Sequence, residues 1–279
     1  MPNVYAIITE RIIEQLKKGV VPWRKPWKTI SPQNLVSKKE YRGINSIFLN
    51  SLPFENPYFL SFKQTQALGG FVRRGERGFP VVFWQMIKKG EGRAKETFPL
   101  LRYYTVFNIA QTEGVEIPKP EVREFNSIEE CERIVTGMPN PPRIAFGGNQ
   151  AFYVPSCDLI TLPVRERFDS AEEFYSTILH EMVHSTAHLS RLNRKTDEGP
   201  AHWGTANYSK EELIAEIGAS FLNAKAGISS ATLENSASYI ANWLSVLRND
   251  KRMIILAAGQ AQKAADYVLG LKNSASGGL

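Results

Sequence analysis

Histidine and cysteine are both scarce in this 279-residue chain, with 4 of the first and 2 of the second. Cys131 and Cys157 form no CxxC pair. A disulfide framework is therefore not indicated; both read as small buried apolar side chains in a reducing, cytoplasmic protein. Long apolar runs are also lacking. The longest, MIILAAG from Met253, is far short of the roughly 20 residues that span a bilayer, so no membrane partner is expected. Glu10 and Arg11 interrupt what would be the core of a secretion signal. There is no P-loop, no internal repeat and no extended low-complexity segment. Acidic residues are thin in one half only. Residues 1–112 carry 18 Lys+Arg against 7 Asp+Glu (+11), and 113–279 carry 16 against 21 (−5), which together make the net +6. A basic half joined to a mildly acidic one points to two domains with different partners, the basic half suiting a polyanion.

Apolar spacing and breakers divide the chain further. Val4, Ile8, Ile12 and Leu16 recur at the helical i+4 interval, up to a stop at Gly19. The Pro/Trp/basic stretch GVVPWRKPWK follows, then short helices near Asn45–Leu52 and Ser61–Gly70. FPVVFWQMI (Phe79–Ile87) and LLRYYTVFNI (Leu100–Ile109) read as two strands of a hairpin with a basic tip. TEGVEIPKPE, where composition shifts, marks a linker. Beyond it, RIAFGG, AFYVPS and DLITLP predict three short strands. Capping boxes at Ser127/Glu130, Ser170/Glu173 and Ser209/Glu212 predict helix starts, and a last helical region covers 231–269. The expected architecture is α+β in two domains: 1–112, a linker 113–125, 126–272, and a flexible tail 273–279.

Three of the four histidines lie in ILHEMVHSTAH (Ile178–His188), which contains HExxH. On a helix, His180 and His184 lie on one face a turn apart and can converge on one Zn2+, or another divalent ion such as Mn2+. Glu181, about 100° round the helix, is placed to act as general base on water at that ion. In a continuous helix His188 lies about 12 Å along the axis from His180, too far to share the ion. A third ligand must come from elsewhere. A carboxylate on the next long helix is favoured among Glu211, Glu212 and Glu216: Glu212 first, with Glu216 one turn on holding a ligating histidine in place, and Glu211 pointing about 100° away from Glu212. The competing reading is that Glu212 only completes a cap with Ser209. His202, in GPAHWG, is a less favoured ligand.

HExxH on one helix and a Glu on a following helix resemble the zincin metallopeptidases of the Glu-ligand kind. That resemblance implies metal-assisted peptide hydrolysis and a sheet edge that pairs with substrate, formed by AFYVPS or DLITLP, with Tyr153 in the cleft. It leaves Tyr208, His202 or another group to stabilise the oxyanion.

The first half holds 17 of the chain's 30 aromatic residues. Charge for phosphates beside flat rings for unstacked bases is what single-stranded nucleic acid requires. Four clusters combine basic residues with aromatic neighbours: Trp23, Arg24, Lys25, Trp27 and Lys28; Lys38, Lys39, Tyr41 and Arg42; Arg73, Arg74 and Arg77; and Lys88 and Lys89. Without zinc-finger spacing, binding that ignores base sequence is expected.

Nearly the whole chain resembles the ArdC-type antirestriction proteins of conjugative plasmids and their phage and chromosomal relatives. GVVPWRKPWK, YRGIN, LGGFVRRGERGFPVVFW and RYYTVFN carry the likeness in the first half. AFYVPSCDLITLP, HEMVHSTAHLSRLNR and YSKEELIAEIGASFL carry it in the second. The resemblance implies an N-terminal single-stranded-DNA-binding domain, a C-terminal zincin-like metallopeptidase domain with an unidentified protein substrate, and protection of incoming DNA from host restriction. A DNA-binding protein whose metal centre is only structural or vestigial is the alternative.

Overall fold

The computed structural model describes residues 4–24, 31–89, 96–118, 126–194, 206–228 and 237–271. They fall into two compact units. One takes 4–11 and 31–118, the other 12–24 and 126–271. The helix α1 (Val4–Lys17) thus contributes to both. By their contacts residues 12–24 cluster with the second unit, although the sequence assigned them to the first.

The first unit is built on a four-stranded sheet. Its strands are β1 (Gln33–Asn34), β2 (Tyr58–Ser61), β4 (Phe79–Lys89) and β5 (Glu96–Asn108), in the order β1-β2-β5-β4. β4 and β5 pair antiparallel over their whole length, from Phe79↔Val106 to Lys89↔Glu96. The helix α2 (Ile44–Asn50) protects the open edge of β4: Asn45 donates to the Val82 carbonyl at 2.7 Å and accepts from the Val82 amide at 2.8 Å. The helix α3 (Phe62–Ala67) is started by Ser61, whose side chain accepts from the Gln64 amide in a full capping box. Two short strands, β3 (Phe71–Val72) and β6 (Thr112–Glu113), form a separate ribbon. Gly70 is required beside it, since a Cβ would come within 2.5 Å of the Glu113 carbonyl oxygen.

The second unit packs helices against a small mixed sheet. Helix α4 (Ser127–Gly137) is capped by Asn126, which accepts from the amides of Ile128 and Glu129. The sequence placed the cap one residue later, at Ser127, which is instead the first helical residue. The strands β7 (Arg143–Phe146), β8 (Phe152–Val154) and β9 (Leu159–Leu162) have the order β7-β9-β8. DLITLP is therefore the central strand and cannot be the substrate-pairing edge, whereas AFYVPS supplies an edge strand. Helices α5 (Ala171–Ser185), α6 (Ala206–Ala226), α7 (Ala237–Asn249) and α8 (Met253–Val268) complete the unit. Phe174, Tyr175, Ile178, Leu179, Met182 and Val183 bury one face of α5, each contributing roughly 1.5–3 kcal/mol by leaving water. α5 packs on α6, and α6 on α8. Gly218 of α6 makes the first contact close: a Cβ there would meet the Val183 methyls at 2.8 and 3.0 Å.

Candidate metal centre

Helix α5 is held at both ends. Ser170 accepts from the Glu173 amide at 3.1 Å, and Glu172 and Glu173 place negative charge on the first turn, where the helix dipole favours it. At the C-terminus two arginines add side-chain donors to carbonyls of the last turn. Arg191 Nε donates to the Ser185 carbonyl at 2.8 Å, and Arg194 Nη2 to that of Val183 at 3.1 Å. The helix ends at Ser185, so His188 lies in the following turn, its Nδ1 2.8 Å from Ser190 Oγ. It is not among the converging donors, and the helix ends before it rather than running on as assumed from sequence.

The imidazoles of His180 and His184 face one another, Nε2 to Nε2 at 3.1 Å. Glu212 joins them from α6. One of its oxygens is 3.3 Å from His184 Nε2 and the other 3.7 Å from His180 Nε2. Among the described residues, these three form the group of donors able to hold a metal ion. Their spacing fits. Ligands on a tetrahedral ion with bonds of about 2.0–2.1 Å lie about 3.3 Å apart. The donor chemistry fits as well: two imidazoles and a carboxylate, nearly enclosed. Burial disfavours a charged His184, yet Glu211 and Glu212 outweigh it and raise its pKa to about 10. The carboxylates of Glu211 and Glu212 beside it favour positive charge in the pocket. Glu181, next to His180, is buried beside the same imidazoles.

Ser209 lies inside α6, which begins at Ala206, so the Ser209/Glu212 capping box is not what starts the helix. Glu216, expected to steady a ligating histidine, is buried a turn further on. Among the described residues His180 Nδ1 is buried without a hydrogen-bond partner, and the carboxylate beside His184 Nδ1 is Glu211, at 3.8 Å. Glu211 is in turn paired with Arg194. Sequence reasoning missed Arg194 and set Glu211 aside for pointing away from Glu212. Tyr153, on β8, donates to Asp158 Oδ1 at 2.9 Å, and Arg191 contacts both. Its hydroxyl is therefore already held. The side chain of Tyr208 and all of His202 lie outside the described residues.

The expected DNA contacts divide. Trp23 is 0% exposed and meets Trp243 of α7 edge-on, with ring centroids 6.2 Å apart. It is a core residue of the second unit and offers no face to a base, which corrects the stacking role read from sequence. Tyr41, 8% exposed, is corrected likewise, since its ring packs edge-on against Phe59. Arg73 donates to Glu76 at 3.0 Å and to the Ala110 carbonyl at 2.6 Å, bracing a loop. Lys38, Lys39, Arg42, Arg74 and Arg77 are exposed. The side chains of Arg24, Lys88 and Lys89, and the whole of Lys25, Trp27 and Lys28, lie outside the described residues. Composition did not single out two exposed rings of the hairpin, Trp84 at 37% and Tyr103 at 43%. The pairs Trp84↔Leu101 and Val82↔Tyr103 put both rings on one face.

Comparison with known proteins adds independent findings. Residues 2–107 match the family described as the N-terminal domain of anti-restriction factor ArdC, and residues 129–260 match the zincin-like metallopeptidase family. The metal-free crystal structure of the antirestriction protein ArdC from plasmid R388 aligns with a TM-score of 0.78 and 31% identity, over 97% of this chain and all (100%) of that one. Its Mn(II)-bound structure aligns at 0.79 and 33%, over 96% and 97%. Two Escherichia coli proteins named DNA primase TraC are 36% and 35% identical over 95% and 94% of this chain. The chain spans only 20% and 26% of their lengths. An uncharacterized protein of Sinorhizobium fredii, y4eC, is 34% identical over 95% of this chain and 91% of its own length.

Proposed function

This chain belongs to the ArdC antirestriction family, and we propose that it is a cytoplasmic single-stranded-DNA-binding protein whose second unit is a metal-dependent peptidase. One observation carries the enzymatic reading: the donors of His180, His184 and Glu212 converge from two helices, with Glu181 beside them. A divalent ion held there, Zn2+ or Mn2+, supplies a Lewis acid and acidifies water. Glu181 accepts a proton from the attacking water and returns it to the leaving amine. The edge strand β8 supplies backbone donors and acceptors with which an extended protein segment pairs as an added strand. Tyr153, fixed by Asp158 and Arg191, forms part of the wall beside that segment. The substrate is a protein, encountered near DNA entering the cell.

The basic first unit provides the DNA affinity. Exposed Lys38, Lys39, Arg74 and Arg77 supply charge, and Trp84 and Tyr103 supply rings. Binding is to the sugar–phosphate backbone and base faces rather than to a sequence.

The decisive variant is Glu181→Ala, tested for metal content, proteolysis in the presence of single-stranded DNA, and protection of incoming plasmid or phage DNA from restriction. The proposal expects metal retained, with proteolysis and protection both lost. Protection intact in this variant would overturn the enzymatic reading and leave a DNA-binding protein with a structural metal centre.

A further inference from the structure

We infer that Arg194 is a positioning residue for the metal centre, setting its affinity through Glu211 without touching the ion. The inference rests on the reading of His180, His184 and Glu212 as ligands.

Four contacts of one guanidinium carry it. Arg194 Nη2 donates to Glu211 Oε1 at 2.5 Å and to the Val183 carbonyl at 3.1 Å. Nη1 donates to Thr186 Oγ1 at 2.5 Å, and Nε reaches Glu211 Oε2 at 3.4 Å. The side chain is only 7% exposed. Val183 precedes His184 on its helix and Thr186 caps that helix, while Glu211 immediately precedes Glu212 on the other. One rigid fork thus ties both ligand-bearing helices together just behind two of the three donors. Glu211 then presents its carboxylate to His184 Nδ1, on the far side of the ring from the Nε2 that faces His180. At 3.8 Å from that nitrogen the carboxylate favours a proton on Nδ1, which leaves Nε2 free as the donor to an ion.

Arginine suits this task and lysine does not. The planar guanidinium donates in several fixed directions at once, while an ammonium on a flexible stem cannot reach the carbonyl, hydroxyl and carboxylate together in the same geometry. Removing the fork also leaves the buried Glu211 carboxylate without its cation, free to turn away from His184.

The test uses the full chain stripped of metal. Dissociation constants for Mn2+ and Zn2+ are measured by competition with a chromophoric chelator, alongside the Tm of each metal-free protein. Arg194→Lys and Glu211→Gln are each expected to weaken binding about 10- to 100-fold, the usual effect of losing such an outer partner. Arg194→Ala should do the same. A merely structural guanidinium would lower the metal-free Tm and leave the dissociation constants unchanged, and that result overturns the inference. A tighter constant in Arg194→Ala overturns it too, because it would mean that the arginine acts only by repelling the ion. Should the alanine variant fail to fold, the lysine and glutamine variants decide. A parent protein that binds neither ion overturns the underlying site instead, which keeps the two failures apart.

Discussion

His180 Nε2 and His184 Nε2 stand 3.1 Å apart across one turn of α5, with the Glu212 carboxylate closing the triangle from α6. Under the proposed function each imidazole is needed to make the site, while Glu181 is needed only for chemistry. His180→Ala and His184→Ala are therefore expected to abolish stoichiometric binding of a divalent metal, measured by elemental analysis after gel filtration. Glu181→Gln should retain the metal and lose about 10²–10⁴-fold in hydrolysis, the usual worth of a general base. Metal at full stoichiometry in both histidine variants would refute the ligand assignment.

The close contact between α5 and α6 gives a second expectation. Gly218→Ala forces a methyl against Val183, with contacts of 2.8 and 3.0 Å before relaxation. Overpacking of this kind costs about 1–3 kcal/mol. Val183→Ala opens space at the same point. The double variant should thus be less destabilised than the sum of the single changes, a coupling that denaturant melts measure directly.

The part of the site legible in the sequence is the part whose chemistry is local. HExxH follows the helical repeat, so His180, Glu181 and His184 could be placed together before any fold was known. Glu212 could be reached because the next long helix offered few acids. Arg194 could not: its pairing with Glu211 joins residues 17 apart, and no period in the sequence reports it. The same holds for Trp23. PWRKPWK has the composition of a nucleic-acid contact, yet Trp23 packs on Trp243, far along the chain. Composition describes what a side chain can do, but burial depends on which unit the segment joins. The strand β2 (Tyr58–Ser61) escaped for a related reason, as its short and almost wholly buried YFLS has no alternation to read.

Asp158 and Arg191 set an acid limit on the second unit. The hydrogen-bonded guanidinium of Arg191 outweighs burial, and with the Tyr153 hydroxyl it holds the Asp158 carboxyl below its ordinary value. Because the folded pKa is depressed, the stabilisation is present above the unfolded value near pH 4 and is lost as pH falls through the folded one. Asp158→Asn should therefore lower Tm at neutral pH and flatten its decline under acid. Arg191, with a fully buried side chain, also holds Ser185 and Asn140. Arg191→Ala should consequently cost more, about 3–5 kcal/mol. Equal pH profiles for the parent and Asp158→Asn would refute the linkage.

Trp23 and Trp84 separate folding from DNA binding. Trp23 fills the core, so Trp23→Ala should destabilise the protein by about 3–5 kcal/mol, seen as a lower midpoint of unfolding by urea. Trp84 is exposed on the hairpin, its ring tilted against that of Tyr5 at 6.4 Å between centroids. Trp84→Ala and Tyr103→Ala should leave the midpoint nearly unchanged, yet each should weaken affinity for a single-stranded oligonucleotide by about 1–3 kcal/mol if its ring stacks on a base. Arg74→Ala and Arg77→Ala act through charge, so each should weaken binding and reduce the slope of log affinity against log salt, which stacking variants leave steep. Fluorescence anisotropy at two or more salt concentrations distinguishes these outcomes. Affinity for single strands that does not change with salt in the parent would refute the polyanion role of the basic half, and full affinity in the Trp84→Ala, Tyr103→Ala double variant would move the stacking surface away from the hairpin.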